Sequence, residues 1–144
     1  MVTTTVRPVG RTARSRTSAA LILVAAVTVA IAANSVVALV AVAAGAPPTY
    51  GPLTLPAYGL FTALGVTLGW IGWSLVRQRA RDPRRTLTIL VPVVTLASFV
   101  PDVLLLALQF IPGTTTVAVV ALMVMHLVVV VVAVPAYIWA SRRS

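Results

Sequence analysis

In a chain built almost wholly of apolar runs, Asp102 and His126 are the residues whose types could do chemistry. One is the acidic side chain that falls inside an apolar run, the other the sole histidine of 144 residues. A charge deep in a bilayer costs ~2.5–3.5 kcal/mol, so such a side chain faces protein or a water-filled cavity. Carboxylate and imidazole in contact can relay a proton, because burial and pairing act on the two protonation equilibria in opposing senses. The same two groups can instead form a structural clasp that sets helix register. Interhelical hydrogen bonds of that kind average only ~0.6 kcal/mol, yet they still select one arrangement.

Depth along each run suggests further members of the site. At 1.5 Å per residue, Asp102 lies ~12 Å from the outer end of its helix and His126 ~15 Å from the start of the next. Asn34 lies ~15 Å from the end of the first helix, and Thr67 in the second falls at a similar level. The expectation is a polar layer of Asn34, Thr67, Asp102 and His126, one from each helix. Thr88, Thr95, Asp102 and Gln109 also recur every seven residues, with Ser98 one turn before Asp102. That period predicts a polar stripe turned toward the bundle. Pro92 and Pro101 interrupt the same run, each leaving a carbonyl without its usual N–H partner. Such kinks open space for water or a ligand, or serve packing alone.

Other chemistries find little support. One histidine and one intramembrane carboxylate fall short of the three or four ligands of a zinc site. Met123 and Met125 beside His126 read as packing on a valine-rich helix rather than as copper ligands. There is no cysteine, and no nucleotide-binding loop, Ser-His-Asp set, HExxH or CxxC motif. Neither an enzyme nor a metal or cofactor is expected.

The elements that must position these residues are four apolar runs, at about 19–44, 57–76, 86–111 and 116–140. With 60% hydrophobic and 9% charged residues, the chain is far from a soluble average, where about a quarter of residues are charged. Each run is long enough to cross a ~30 Å hydrocarbon core as a helix, which alone satisfies the backbone inside lipid. The fourth run is rich in β-branched valine, but its length and its lipid surroundings make it a helix. The first run, behind a basic arm and before Ala44-Gly45-Ala46, could pass for a signal peptide; it is too long for a signal core of about 7–15 residues and reads as a retained helix. Residues 45–56 hold four prolines and two glycines, a helix-breaking loop. Gly65, Gly69 and Gly72 with Thr62 give the second helix a small-residue face for close approach, either within the bundle or in a homodimer. Asp82-Pro83 reads as an N-cap and first-turn proline. Ile111-Pro112-Gly113-Thr114 fits a type II turn, so the third and fourth helices should be antiparallel neighbours. Thr114, Thr115 or Thr116 can cap the last helix.

The net charge of +9 comes from eleven arginines against two aspartates. The arginines fall only at 7–16, 77–85 and 142–143, which is how orientation signals are distributed, and no aromatic-basic surface suggests nucleic acid. By the positive-inside rule both termini and the central loop are cytoplasmic. Trp70, Trp73, Tyr137 and Trp139 then mark the inner interface, and Tyr50, Tyr58 and Phe110 the outer one. Residues 1–18 read as a disordered basic arm on anionic headgroups, and 141–144 as a short cytoplasmic tail.

Several pieces together resemble a family of four-helix membrane proteins from actinobacteria, catalogued as domain of unknown function 6069. They are the small-residue second helix ending Leu68-Gly69-Trp70 before an arginine-rich loop, Ser98-Phe99-Val100-Pro101-Asp102, and Ala121-Leu122-Met123-Val124-Met125-His126 followed by Pro135. The resemblance covers roughly residues 19–140 and implies a four-helix fold in the plasma membrane; it implies no activity. The sequence thus predicts an all-α, integral membrane four-helix bundle with antiparallel neighbours and both termini cytoplasmic. A structural or interaction protein is expected, with the lipid bilayer, anionic headgroups, and a second copy or another membrane protein as partners. The alternative is a small proton-linked transporter or channel built on Asp102 and His126.

Overall fold

Lipid offers the backbone no outside hydrogen-bond partner, so each apolar run closes its own bonds as a helix. The computed structural model describes the backbone of residues 10–143 and the side chains of residues 17–142. Among these residues there are five α-helices and no strand: α1 (Gly10–Ala43), α2 (Leu55–Arg79), α3 (Pro83–Ser98), α4 (Val100–Leu108) and α5 (Thr116–Arg143). α3 and α4 follow one another as a single span, giving four spans of 25 to 27 residues each, all apolar enough to cross a membrane. The protein is therefore an all-α membrane bundle, as the sequence predicts.

The helix ends follow local chemistry. Gly45 has φ +103°, and the bonds Gly45 N–H to Val42 O and Ala46 N–H to Ala41 O, at 3.0 and 2.9 Å, close α1. This is a Schellman cap, which needs a left-handed residue at that position. Ala44-Gly45-Ala46 is thus a helix stop. Asp82 caps α3 by accepting from the Arg85 N–H at 3.1 Å, with Pro83 in the first turn. Gly113, at φ +84°, and a 3.3 Å bond from Thr114 N–H to Ile111 O form the expected turn. Thr115 caps α5 through the Ala118 N–H at 3.2 Å.

Three boundaries differ from expectation. α1 begins at Gly10, so residues 10–18 are helical rather than a disordered arm; residues 1–9 lie outside the described residues. α2 runs on to Arg79, because its basic last turn suits the negative end of the helix dipole. The third run is not one helix. α3 ends at Ser98, α4 restarts at Val100 and stops at Leu108, and Gln109 takes a left-handed conformation at φ 48°.

α5 lies at the centre, touching α1, α2, α3 and α4, and its pairing with α1 is the most extensive. Alanines line both helices: Ala26, Ala30, Ala38 and Ala41 on α1, and Ala118, Ala121, Ala133, Ala136 and Ala140 on α5 are buried. Small side chains let two backbones approach closely where lipid supplies no hydrophobic drive. α3 is the opposite case. None of its residues is buried.

The ends of the bundle are tied as well. The Trp73 indole N–H donates to Ser141 Oγ at 3.0 Å, joining α2 to α5 near the arginine-bearing end. At the other end the Tyr50 ring is 1% exposed, its hydroxyl 3.3 Å from Thr114 Oγ1. The proline-rich loop is packed rather than loose. All three tyrosines, Tyr50, Tyr58 and Tyr137, are buried against the protein and make hydrogen bonds there.

Candidate functional site

The Ser-Phe-Val-Pro-Asp segment starts a new helix in the middle of a span. Phe99 holds the N-cap position of α4, proline sits in the first turn, and Asp102 is the acidic residue there. Proline costs nothing where an N–H is unpaired anyway, and the helix dipole favours negative charge at that end. The break thus delivers a carboxylate at membrane depth, and α5 delivers the group that answers it.

His126 Nδ1 stands 3.2 Å from Asp102 Oδ2, with side-chain exposures of 39% and 5%. The expected pairing of α4 and α5 through these residues is present. It is a close approach without an aligned hydrogen bond. The Nδ1 hydrogen points at the Leu122 carbonyl, 2.9 Å away and one turn back on α5, so Oδ2 is buried without an aligned donor. Phe99 closes one flank, its ring edge-on to the imidazole at 6.2 Å and 80°. Leu105 on α4 and Leu122 and Met125 on α5 belong to the apolar cluster alongside. The chemistry available is proton binding by an imidazole that stands beside a buried carboxylate.

The four-helix polar layer does not assemble as expected. Thr67 is exposed and bonds its own helix at the Ala63 carbonyl, 2.8 Å away. Asn34 turns instead to Thr62, donating from Nδ2 to Oγ1 at 2.9 Å. Both side chains are buried, and Asn34 Oδ1 is left without a partner. Two polar pairs result, Asn34–Thr62 between α1 and α2 and Asp102–His126 between α4 and α5. No hydrogen bond among the described residues links them. Thr62 carried a signal, since it lies one turn before the small-residue run, but depth counting favoured Thr67. A helical residue alternates between core and lipid within one turn, which depth alone does not register.

The seven-residue stripe holds only in its middle, where Thr95 and Ser98 are part-buried and Asp102 buried, whereas Thr88 and Gln109 are exposed. Thr88 and Thr95 each bond the carbonyl four residues back, Arg84 and Val91, at 2.9 and 2.8 Å. Ser98 bonds the Thr95 carbonyl at 2.6 Å, and Gln109 is an exposed left-handed cap.

Of the three glycines, Gly69 is the one in close use. A Cβ there would lie 2.5 Å from the Tyr137 hydroxyl, whereas at Gly65 the nearest atom is Val129 Cγ1 at 4.0 Å and Gly72 faces open space. The Tyr137 hydroxyl passes this notch and donates to the Val66 carbonyl at 2.6 Å. Trp70 and Trp73 flank its ring, both at 5.7 Å. Gly69 therefore serves packing within the bundle. Sequence reasoning missed the alanine seam between α1 and α5, although Ala26, Ala30 and Ala38 stand at four-residue multiples.

No group of three or more potential metal ligands occurs among the described residues. No curated protein and no solved structure matches the chain. The family described as "Family of unknown function (DUF6069)" matches residues 11–143, almost the whole length, and the chain belongs to that family.

Proposed function

We propose that this is a non-enzymatic structural or interaction protein of the cytoplasmic membrane. α3 carries the reading. It crosses the membrane without one buried residue, and Ile89, Leu90, Val93, Val94 and Leu96 present an apolar face. Helices in lipid associate by van der Waals packing, so this face suits a second copy or a helix of another membrane protein. Both ends and the arginine loop are read as cytoplasmic on the positive-inside rule, with Arg77, Arg79, Arg81, Arg84 and Arg85 against anionic headgroups and no role for nucleic acid. Purification in mild detergent after crosslinking, followed by mass spectrometry, is expected to return a dimer or one stoichiometric membrane partner. A monomer with neither contradicts the reading.

The 3.2 Å contact between Asp102 and His126 supports a second reading, a small proton-linked transporter or channel. A pH-driven flux in proteoliposomes that is lost in Asp102→Asn supports it; absence of flux in the native protein removes it.

A further inference from the structure

The proton inventory of the Asp102–His126 pair follows from its geometry. Two hydrogen-bond acceptors do not approach to 2.9 Å without a hydrogen between them, so Nδ1, at that distance from the Leu122 carbonyl, carries one. In the neutral ring the lone pair is then on Nε2. Nε2 makes no hydrogen bond among the described residues, and its side chain is the more exposed of the two. An ionised Asp102 beside a neutral ring would be an uncompensated charge in lipid surroundings, which is costly. A proton taken by the Nε2 lone pair turns the ring into an imidazolium and makes the pair net neutral.

Among the described residues, the other titratable side chains on the packed helices lie elsewhere. α5 contacts α1, α2, α3 and α4. The Tyr58 hydroxyl pairs with Ser35 Oγ and that of Tyr137 with the Val66 carbonyl. Arg77, Arg79, Arg84, Arg85 and Arg142 lie at helix ends. Beside the site Pro101 has no N–H to offer the Ala97 carbonyl, and the Phe99 N–H turns to the Leu96 and Ala97 carbonyls instead.

We propose that Asp102 and His126 form a binding site for one exchangeable proton. The proton enters and leaves at Nε2 of His126, Nδ1 keeps its own hydrogen, and Asp102 supplies the counter-charge. The inference rests on the proton-linked reading of this site and names its ligand and its port. Because the chain has a single histidine, nitrogen-15 labelling of histidine reads this residue alone. In bilayers, a solid-state NMR series from about pH 4 to pH 10 spans the range over which burial and pairing can move such a group. The expected result is an Nδ1 that stays protonated throughout and an Nε2 that loses its proton as pH rises. An unprotonated Nδ1 at any pH, or an Nε2 that never changes, overturns the proposal. In Asp102→Asn the Nε2 transition moves by at least about one pH unit, a tenfold change in proton affinity; an unmoved transition removes Asp102 from the site. Where that variant does not fold, the wild-type series still decides whether Nε2 exchanges. A titrating pair without proton flux in proteoliposomes leaves the proton site standing and removes transport.

Discussion

Gly69 and Tyr137 show what a single atom does in this bundle. A methyl group at position 69 would lie 2.5 Å from the Tyr137 hydroxyl. Gly69→Ala must therefore push the ring or the helix aside, an overpacking cost of ~1–3 kcal/mol. Gly72→Ala meets nothing within 4 Å and is expected to stay within ~0.5 kcal/mol of native. Thermal unfolding in detergent compares the two. Tyr137→Phe removes the bond to the Val66 carbonyl and costs ~0.6 kcal/mol, the average for interhelical hydrogen bonds in lipid; combined with Gly69→Ala it costs less than the sum, because the clash is with the hydroxyl. Residue-scale reading from sequence succeeded where composition leaves few choices. Asp102 and His126 are the only ionisable groups of their kind inside the runs, so each needed the other. Asn34 had several hydroxyls within reach, and rotation about the helix axis, which depth does not contain, selected Thr62 over Thr67.

At the scale of elements, the caps were legible and the break was not. Asp82-Pro83, Pro112-Gly113 and Thr115 act within four residues of themselves, so their chemistry is local and visible in the sequence. Asp82→Ala is expected to cost about 1 kcal/mol through loss of the cap on the Arg85 N–H, and hydrogen exchange at the first turn of α3 should rise while that of α5 stays the same. The interruption at Phe99 depends on whether a proline bends a helix or restarts it, which the residue type alone does not decide. The alanine seam is a tertiary feature in the same sense. Ala30 is fully buried on α1, the helix that pairs most extensively with α5. Ala30→Leu overpacks the helix contact that buries it at ~1–3 kcal/mol, whereas Val29→Leu, on an exposed residue, leaves the unfolding temperature unchanged.

For the molecule as a whole, length and hydropathy sufficed for four spans, and short connections for antiparallel neighbours. Which helix sits in the middle was not legible, because all four runs are apolar on every side and lipid tolerates any of them outside. α5 takes the centre by carrying alanine, His126 and Tyr137 on faces that serve α1, α4 and α2 in turn. With no native cysteine, engineered pairs test this layout cleanly: cysteines at Trp73 and Ser141 should join through a short crosslinker, as should Tyr50 with Thr114, whereas Trp73 with Thr114 should not. The contact between α4 and α5 underlies both the pairing and the proton site. One histidine and two aspartates in the whole chain make it measurable directly, by dipolar coupling between nitrogen-15 histidine and carbon-13 aspartate in bilayers. A coupling between His126 Nδ1 and the carboxyl carbon of Asp102, lost in Asp102→Asn prepared with unlabelled asparagine, is the predicted result. Absence of that coupling in folded protein contradicts the pairing and the proton site built on it.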